Sequence, residues 1–417
     1  MPNLIFSSIV HIFLSSWLLL NACQSIDGIS QSNHLLSENL DSLLESSIQL
    51  GQIPGAVLLI AKDGEIMHHK AYGHAQLFEY GMNRLERPPV LTVDHRFDLA
   101  SLTKVFATTL SIMVLVEHQR IVLDDPVHRY LPEFRDEHKD SITVRHLLTH
   151  SSGLHPWRPT YYHASYSDEV YRYICSLPLA YPVGLERHYS DLGFMLLGYL
   201  IEEVTGKSLD QFVLEEIYHP LKLYRTSFNP DVNDGPFAAT SHGNPFEKRM
   251  VEDDDFGYRC DENPDDFTGW RDYTLVGEVN DGNAFYAHKG VAGHAGLFST
   301  AIDLKILFDL LMNRGSYSGR RMLSGKVIDN FLTKDQFDNG LGWAMSSSVL
   351  PVDELPQGSF GHTGFTGTYA LAIPSAKLSI ILLTNRQNLG VDASGHYPSL
   401  TKLRKDVVDI VISHFLE

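Results

Sequence analysis

The 417-residue chain predicts an α/β protein of the mixed (α+β) kind: an antiparallel sheet built from the N- and C-terminal segments, flanked by helices, with a largely helical inserted domain. Three observations carry this expectation. Strand-like runs lie near both ends of the chain, at Ala56 to Ala61 and Ile66 to Ala71, and again at Thr368 to Ile373 and Leu378 to Thr384. The almost uninterrupted apolar run Val105 to Val116 fits a helix buried on most sides. Between about Leu123 and Asn229 the apolar spacing is mainly helical.

Composition narrows the function classes. With 43% apolar and 20% charged residues the chain can bury a large core, and it is neither disordered nor fibrous. Its 51 acidic against 33 basic side chains would repel a phosphate backbone, so no nucleic-acid partner is expected.

The first 22 residues hold no Asp, Glu, Lys or Arg, and Leu4 to Leu20 is an apolar stretch too short for a comfortable membrane span but suited to a secretory signal. It ends in Leu20-Asn21-Ala22-Cys23, which resembles the lipobox of bacterial lipoproteins. That resemblance makes Cys23 the lipidated first residue of a mature chain, anchored to a membrane and facing the periplasm. Gln24 after it is compatible with the outer membrane. The n-region lacks Lys and Arg, so the amino terminus alone supplies its positive charge. Residues 1–22 are therefore read as signal peptide, 23–39 as a polar tether and 40–417 as the folded domain. Within it, a sheet subdomain spans about 40–122 and 285–417, and the helical insert about 123–284. Cys175 and Cys260 are too few for a disulfide scaffold, and their pairing stays open.

Taken in order, Lys62-Asp63-Gly64-Glu65 joins the first two strands with an Asp-Gly hairpin signal. A helix follows from Ser101. Tyr189-Ser190-Asp191 precedes a helical run through Leu192, Met195, Leu196 and Tyr199 that stops at Gly206. Residues Asn229 to Asn283, including Glu252-Asp253-Asp254-Asp255, are acidic and turn-rich; their spacing matches no EF-hand, and a solvated insertion is the favoured reading. Ser299 or Thr300 caps a helix to about Asn313 with Gly315 as its stop, Pro374-Ser375-Ala376-Lys377 turns between the last two strands, and Leu400 to Phe415 closes the chain as an amphipathic helix.

The chemistry centres on Ser101-Leu102-Thr103-Lys104. Residues three apart share a helix face, so a desolvated Lys104 amine can reach the Ser101 hydroxyl and help remove its proton. The helix start adds backbone N–H groups near a developing oxyanion. Alone the motif is weak, since about one or two chance matches are expected in a chain this long. Ser399-Leu400-Thr401-Lys402 repeats it letter for letter, but after Pro398 and on a charged helix, where Ser399 is explained as an N-cap.

With Tyr189-Ser190-Asp191 and His362-Thr363-Gly364 downstream, the chain resembles the serine beta-lactamase, DD-peptidase and related esterase superfamily, whose order is Ser-x-x-Lys, Tyr-x-Asn, then Lys-Thr-Gly or His-Thr-Gly. Other phrases are similar to that family too: Ile142 to Leu154, Gly290-Val291-Ala292-Gly293-His294-Ala295-Gly296 and Leu382 to Arg386. The resemblance runs from about Asn39 to the C-terminus and implies a beta-lactamase/transpeptidase-like fold. It implies that Ser101 is acylated, that Lys104 shares its proton and that Tyr189 is the second acid/base. It also implies that Asp191, His362, Thr363, Gly364 and Phe365 meet the substrate, with the Ser101 and Phe365 N–H groups as oxyanion hole. Substrates implied are D-Ala-D-Ala peptides, esters or beta-lactams. No cofactor is expected.

Two departures matter. Asp191 stands where the family usually has Asn, an acceptor replacing an amide that also donates, and His362 replaces a fixed cationic Lys. No Glu-x-x-Leu-Asn segment supports rapid turnover of a penicillin acyl-enzyme. These departures keep a second reading open, a catalytically quiet lipoprotein that binds wall peptides. A metal-dependent hydrolase rests only on His146 and His150, four apart but without His-Glu-x-x-His, and a packing role for them is expected. The absence of Gly-x-Ser-x-Gly argues against an α/β-hydrolase.

Overall fold

The computed structural model describes residues 33–352 and 354–416; the expected signal segment and Cys23 lie outside the described residues. Its centre is a five-stranded sheet. The strands are β1 (Gly55–Lys62), β2 (Glu65–Gly73), β3 (Phe360–Thr363), β4 (Tyr369–Ile373) and β5 (Leu378–Thr384), in the spatial order β3-β4-β5-β1-β2 with every pairing antiparallel. The expected assembly from both termini is therefore observed, because β1 aligns along β5 over seven residue pairs, Ala56 to Thr384 through Lys62 to Leu378. The β1–β2 turn uses left-handed Asp63 (φ 55°) and Gly64 (φ 86°), the backbone that a two-residue Asp-Gly hairpin demands.

Both sheet faces are buried, which explains why β1, β4 and β5 are mostly apolar rather than alternating. One face carries Leu58, Ile60, Leu371, Ile380 and Leu382 against two helices, α1 (residues 33–49) and the C-terminal helix Thr401–Leu416. Helix α1 corrects the tether expectation: from residue 33 onward the chain is helical, and Leu36, Leu40 and Leu44, spaced by four, are buried on the sheet. A polar composition hid an amphipathic stripe only three side chains long. The other face carries Val57, Leu59, Ile381 and Leu383 into the main core, which includes α2 (Leu110–Glu117) and α3 (Asp191–Thr205).

Helix α3 starts where expected, with Ser190 Oγ accepting from the Gly193 N–H, and ends at left-handed Gly206 (φ 71°). The insert is largely helical to residue 221, but its acidic part is not simply solvated. Residues Ala239–His242 and Thr274–Val276 pair antiparallel, and helix α4 (Pro245–Glu252), which lies between them in the chain, buries Glu247, Met250 and Val251, while Glu252, Asp254 and Asp255 face water. Thr300 caps helix α5 (Ala301–Met312) as predicted. No helix among the described residues is long and apolar enough to cross a membrane.

Candidate active site

The segment before α2 is held by the sheet domain from several sides. Asp98 is buried and accepts from the Ala100 N–H (2.9 Å) and the Asn280 N–H (2.6 Å), while Thr366 and Thr368 hydroxyls donate to the carbonyls of Asp98 and Leu99. Ala100 is pinned at φ +46°, a left-handed conformation that costs an alanine about 1–3 kcal/mol and orients the next residue, Ser101. The chain turns helical just beyond Ser101 and passes through wide π-type turns at Lys104–Thr109 before α2, where an ordinary helix was expected.

Lys104, 1% exposed, donates to Ser101 Oγ at 2.9 Å and to the His294 carbonyl at 3.0 Å, and its ammonium is 2.7 Å from Asp191 Oδ1. Burial pulls the Lys104 pKa down, but Asp191 and Tyr189 outweigh it and hold the amine above its ordinary range. Lys104 is thus an ammonium at neutral pH. Its charge also sits 4.9 Å from the centre of the Tyr189 ring. Burial raises the Tyr189 hydroxyl, with Lys104 partly opposing, so Tyr189 is a neutral phenol.

His150 and His362 flank Tyr189, with ring centres 4.5 and 6.0 Å away. His150 Nδ1 accepts from the Ser190 N–H (3.0 Å), fixing the turn that presents Tyr189. His146 completes a helix cap with Thr143, so the two histidines serve packing and capping, and no group of metal-ligating side chains occurs among the described residues. His362 is 4% exposed, and burial, then Lys104, lowers its pKa to about 3; it is neutral and offers no fixed charge. Gly364 admits no side chain, since a Cβ there would sit 1.9 Å from Thr368 Oγ1 and 2.5 Å from the Leu99 carbonyl. The N–H groups of Ser101 and Phe365 donate to no backbone acceptor among the described residues.

Ser101, Tyr189, Asp191 and Phe365 meet in one cavity of about 170 Å³, with Lys104 and His362 packed behind it. Its remaining walls went unread in the sequence: Trp157, Phe246, Met250 and Tyr258 form an aromatic and apolar side, and Glu247 and Asp281 an acidic one. Asp281 pairs with His294 Nε2 at 2.9 Å, and Glu247 accepts from the Gly282 N–H at 2.8 Å. Burial and then Asp281 raise the Glu247 carboxyl to about 8, whereas Asp281, despite burial, is held at about 2 by His294. The signal for this wall was Phe246-x-x-x-Met250 inside a segment whose acidic run drew attention away from it. The repeated motif behaves as expected: Ser399 Oγ accepts from the Thr401 N–H, and Lys402 is exposed and paired with Asp406.

A sheet from both termini, wrapped by terminal helices and opening on a Ser-Lys-Tyr cleft, is the architecture of the beta-lactamase and penicillin-binding hydrolases. The profile of the beta-lactamase family matches residues 40–403, and the chain belongs to that family. It is 35% identical over 374 residues to an N-acetylmuramyl-L-alanine amidase of Bacillus subtilis, covering 84% of this chain and 81% of that one. It is 32% identical over 367 residues to an Escherichia coli protein named "Putative D-alanyl-D-alanine carboxypeptidase", covering 83% and 81%. In fold it is similar to a class C beta lactamase from Rhodobacter sphaeroides (TM-score 0.64, 21% identity, 91% of this chain and 100% of that one).

Proposed function

We propose that this protein is an exported serine hydrolase that cleaves amide or ester bonds through an acyl-enzyme on Ser101, with D-Ala-D-Ala-type cell-wall peptides as the preferred substrate class. The observation that carries the reading is the 2.9 Å contact between Lys104 Nζ and Ser101 Oγ, with Tyr189 packed against the same ammonium. Relatives named for amidase and carboxypeptidase activity both support amide-bond hydrolysis. The lipobox-like Leu20-Asn21-Ala22-Cys23 supports lipid anchoring in the periplasm.

Because Lys104 rests as an ammonium, it must lose a proton before it can accept one. Asp191 supplies the acceptor that an Asn could not. When substrate fills the cavity, Asp191, which lines it, loses its remaining solvation beside the already buried Lys104, and transfer of one proton from Lys104 to Asp191 leaves a neutral amine and a carboxylic acid. The amine takes the Ser101 proton as Oγ bonds to the carbonyl carbon, and the carbonyl electron pair moves to the oxygen, toward the N–H groups of Ser101 and Phe365. Collapse breaks the bond to the leaving group, which takes the Tyr189 phenolic proton; Lys104 returns one to Tyr189. Water repeats the sequence in reverse, releasing the acid and restoring Ser101.

The Lys104–Asp191 pair also supports a second reading, a cleft that binds peptides without turnover. Intact-mass analysis of residues 24–417 after exposure to a fluorophosphonate and to a penicillin separates them. An adduct mapped to Ser101 is expected. No adduct on folded protein would favour the binding reading.

A further inference from the structure

The three N–H groups of the Lys104 ammonium meet three acceptors: Ser101 Oγ (2.9 Å), Asp191 Oδ1 (2.7 Å) and the His294 carbonyl (3.0 Å). In the reaction proposed above Asp191 takes up a proton and Ser101 gives one away, so the His294 carbonyl is the acceptor whose protonation never changes. An amine that keeps one N–H on this carbonyl can turn its lone pair from Asp191 to Ser101 without losing its place. The aim of the base is therefore set by where the His294 carbonyl stands.

On either side of His294 the backbone is tied to the segment that carries Ser101 and Lys104. Thr108 Oγ1 donates to the Gly293 carbonyl at 2.6 Å, and the Leu297 N–H donates to Thr103 Oγ1 at 3.1 Å. Gly293 also lies against α3, where a Cβ would sit 2.0 Å from the Phe194 carbonyl. At His294 itself the fastening is the side chain. The residue is 1% exposed, its Nδ1 is buried without a partner, and Nε2 donates to Asp281 Oδ1 at 2.9 Å, the ring's single hydrogen bond among the described residues. Asp281 is fixed in turn, because the same oxygen accepts from the Ala284 N–H at 2.8 Å, and it lines the cavity that holds Ser101. A buried imidazole with neither nitrogen paired is costly. Without Asp281 the segment lowers that cost by shifting, and the carbonyl moves with it.

We propose that Asp281 is a positioning residue for the general base: through the His294 imidazole it fixes the carbonyl on which the Lys104 amine is aimed at Ser101. This rests on the reading of Ser101 as nucleophile and Lys104 as its base. Asp281 thus serves the rate of Ser101 acylation from the cavity wall without itself exchanging a proton.

The test is the rate of fluorophosphonate labelling of Ser101, measured over a range of reagent concentrations. Asp281→Ala should lower the maximal labelling rate about ten- to a hundredfold, the effect of a displaced base, and leave the half-saturating concentration unchanged. Asp281→Asn, which keeps an acceptor for Nε2, should recover most of that rate. His294→Phe keeps the ring and loses the Nε2 donor, so it should match Asp281→Ala, and the double variant should be no slower than either. Losses that multiply in the double variant would mean that Asp281 acts by touching the reagent rather than through His294, and would overturn the proposal, as would an unchanged maximal rate in Asp281→Ala. Should Asp281→Ala fail to fold, His294→Phe alone decides, and normal labelling there overturns it. Labelling of the parent protein that these variants leave intact removes only the role of Asp281, whereas a parent protein that is not labelled removes the reading of Ser101 on which it rests.

Discussion

Asp191 lies 2.7 Å from the Lys104 ammonium and, against the effect of burial, keeps that lysine charged while it donates to Ser101. Replacing Asp191 by Asn removes the countercharge but not the burial, so the Lys104 pKa should fall. The amine form then becomes available at lower pH, and the alkaline rise in the rate of fluorophosphonate labelling should move toward acid. A profile that does not move would show that Asp191 has no hold on the proton.

Ser101→Ala should lower turnover by about a thousandfold or more and abolish covalent labelling, with Ser399→Ala fully active. Side-by-side assays decide the matter, because the two serines share an identical Ser-Leu-Thr-Lys sequence and differ only in surroundings. Equal behaviour of the two variants would rule out the assignment.

Glu247 predicts an unusual dependence of stability on pH. Its carboxyl ionises near the ordinary 4.5 when unfolded and near 8 when folded, so the native state binds a proton that the unfolded chain has released. The stabilisation is complete below about 4.5 and is lost as pH rises through 8, a change of a few kcal/mol at most. Melting temperatures should fall between pH 5 and pH 8.5 in the parent protein and much less in Glu247→Gln. Parallel declines would mean that the carboxyl is already ionised at pH 5.

Leu40 is fully buried between α1 and the sheet, so Leu40→Ala should cost about 2–5 kcal/mol in chemical denaturation. A nearly silent substitution would show that α1 does not hold the sheet.

Gly364→Ala forces a methyl group onto Thr368 Oγ1 and the Leu99 carbonyl, both of which hold the nucleophile segment. A loss of about 1–3 kcal/mol in stability together with slowed labelling of Ser101 is expected. Normal labelling kinetics would show that the strand edge and the nucleophile are not mechanically joined.

The strands, the helix start after Ser190, the cap at Thr300, the stop at Gly206 and the hairpin at Asp63-Gly64 were legible because each depends on a few neighbouring residues. Helix α1 was missed because three leucines at a spacing of four are a thin signal inside a polar stretch. The acidic insert was misjudged for a related reason: its exposed Glu252, Asp254 and Asp255 dominate the local composition, while the buried Phe246, Glu247 and Met250 find their partners far along the chain.

By itself, the sequence determined the order of the motifs, the chemical types at Ser101, Lys104, Tyr189 and His362, and the joining of both termini in one sheet. Tertiary structure alone decided that Lys104 is charged and His362 neutral, and that Glu247 and Asp281 border the cleft. The physical reason is that protonation and recognition depend on desolvation and on charges only a few ångströms away, and those neighbours are supplied by residues far apart in the chain, as Lys104 and the His294 carbonyl, 190 positions apart, are.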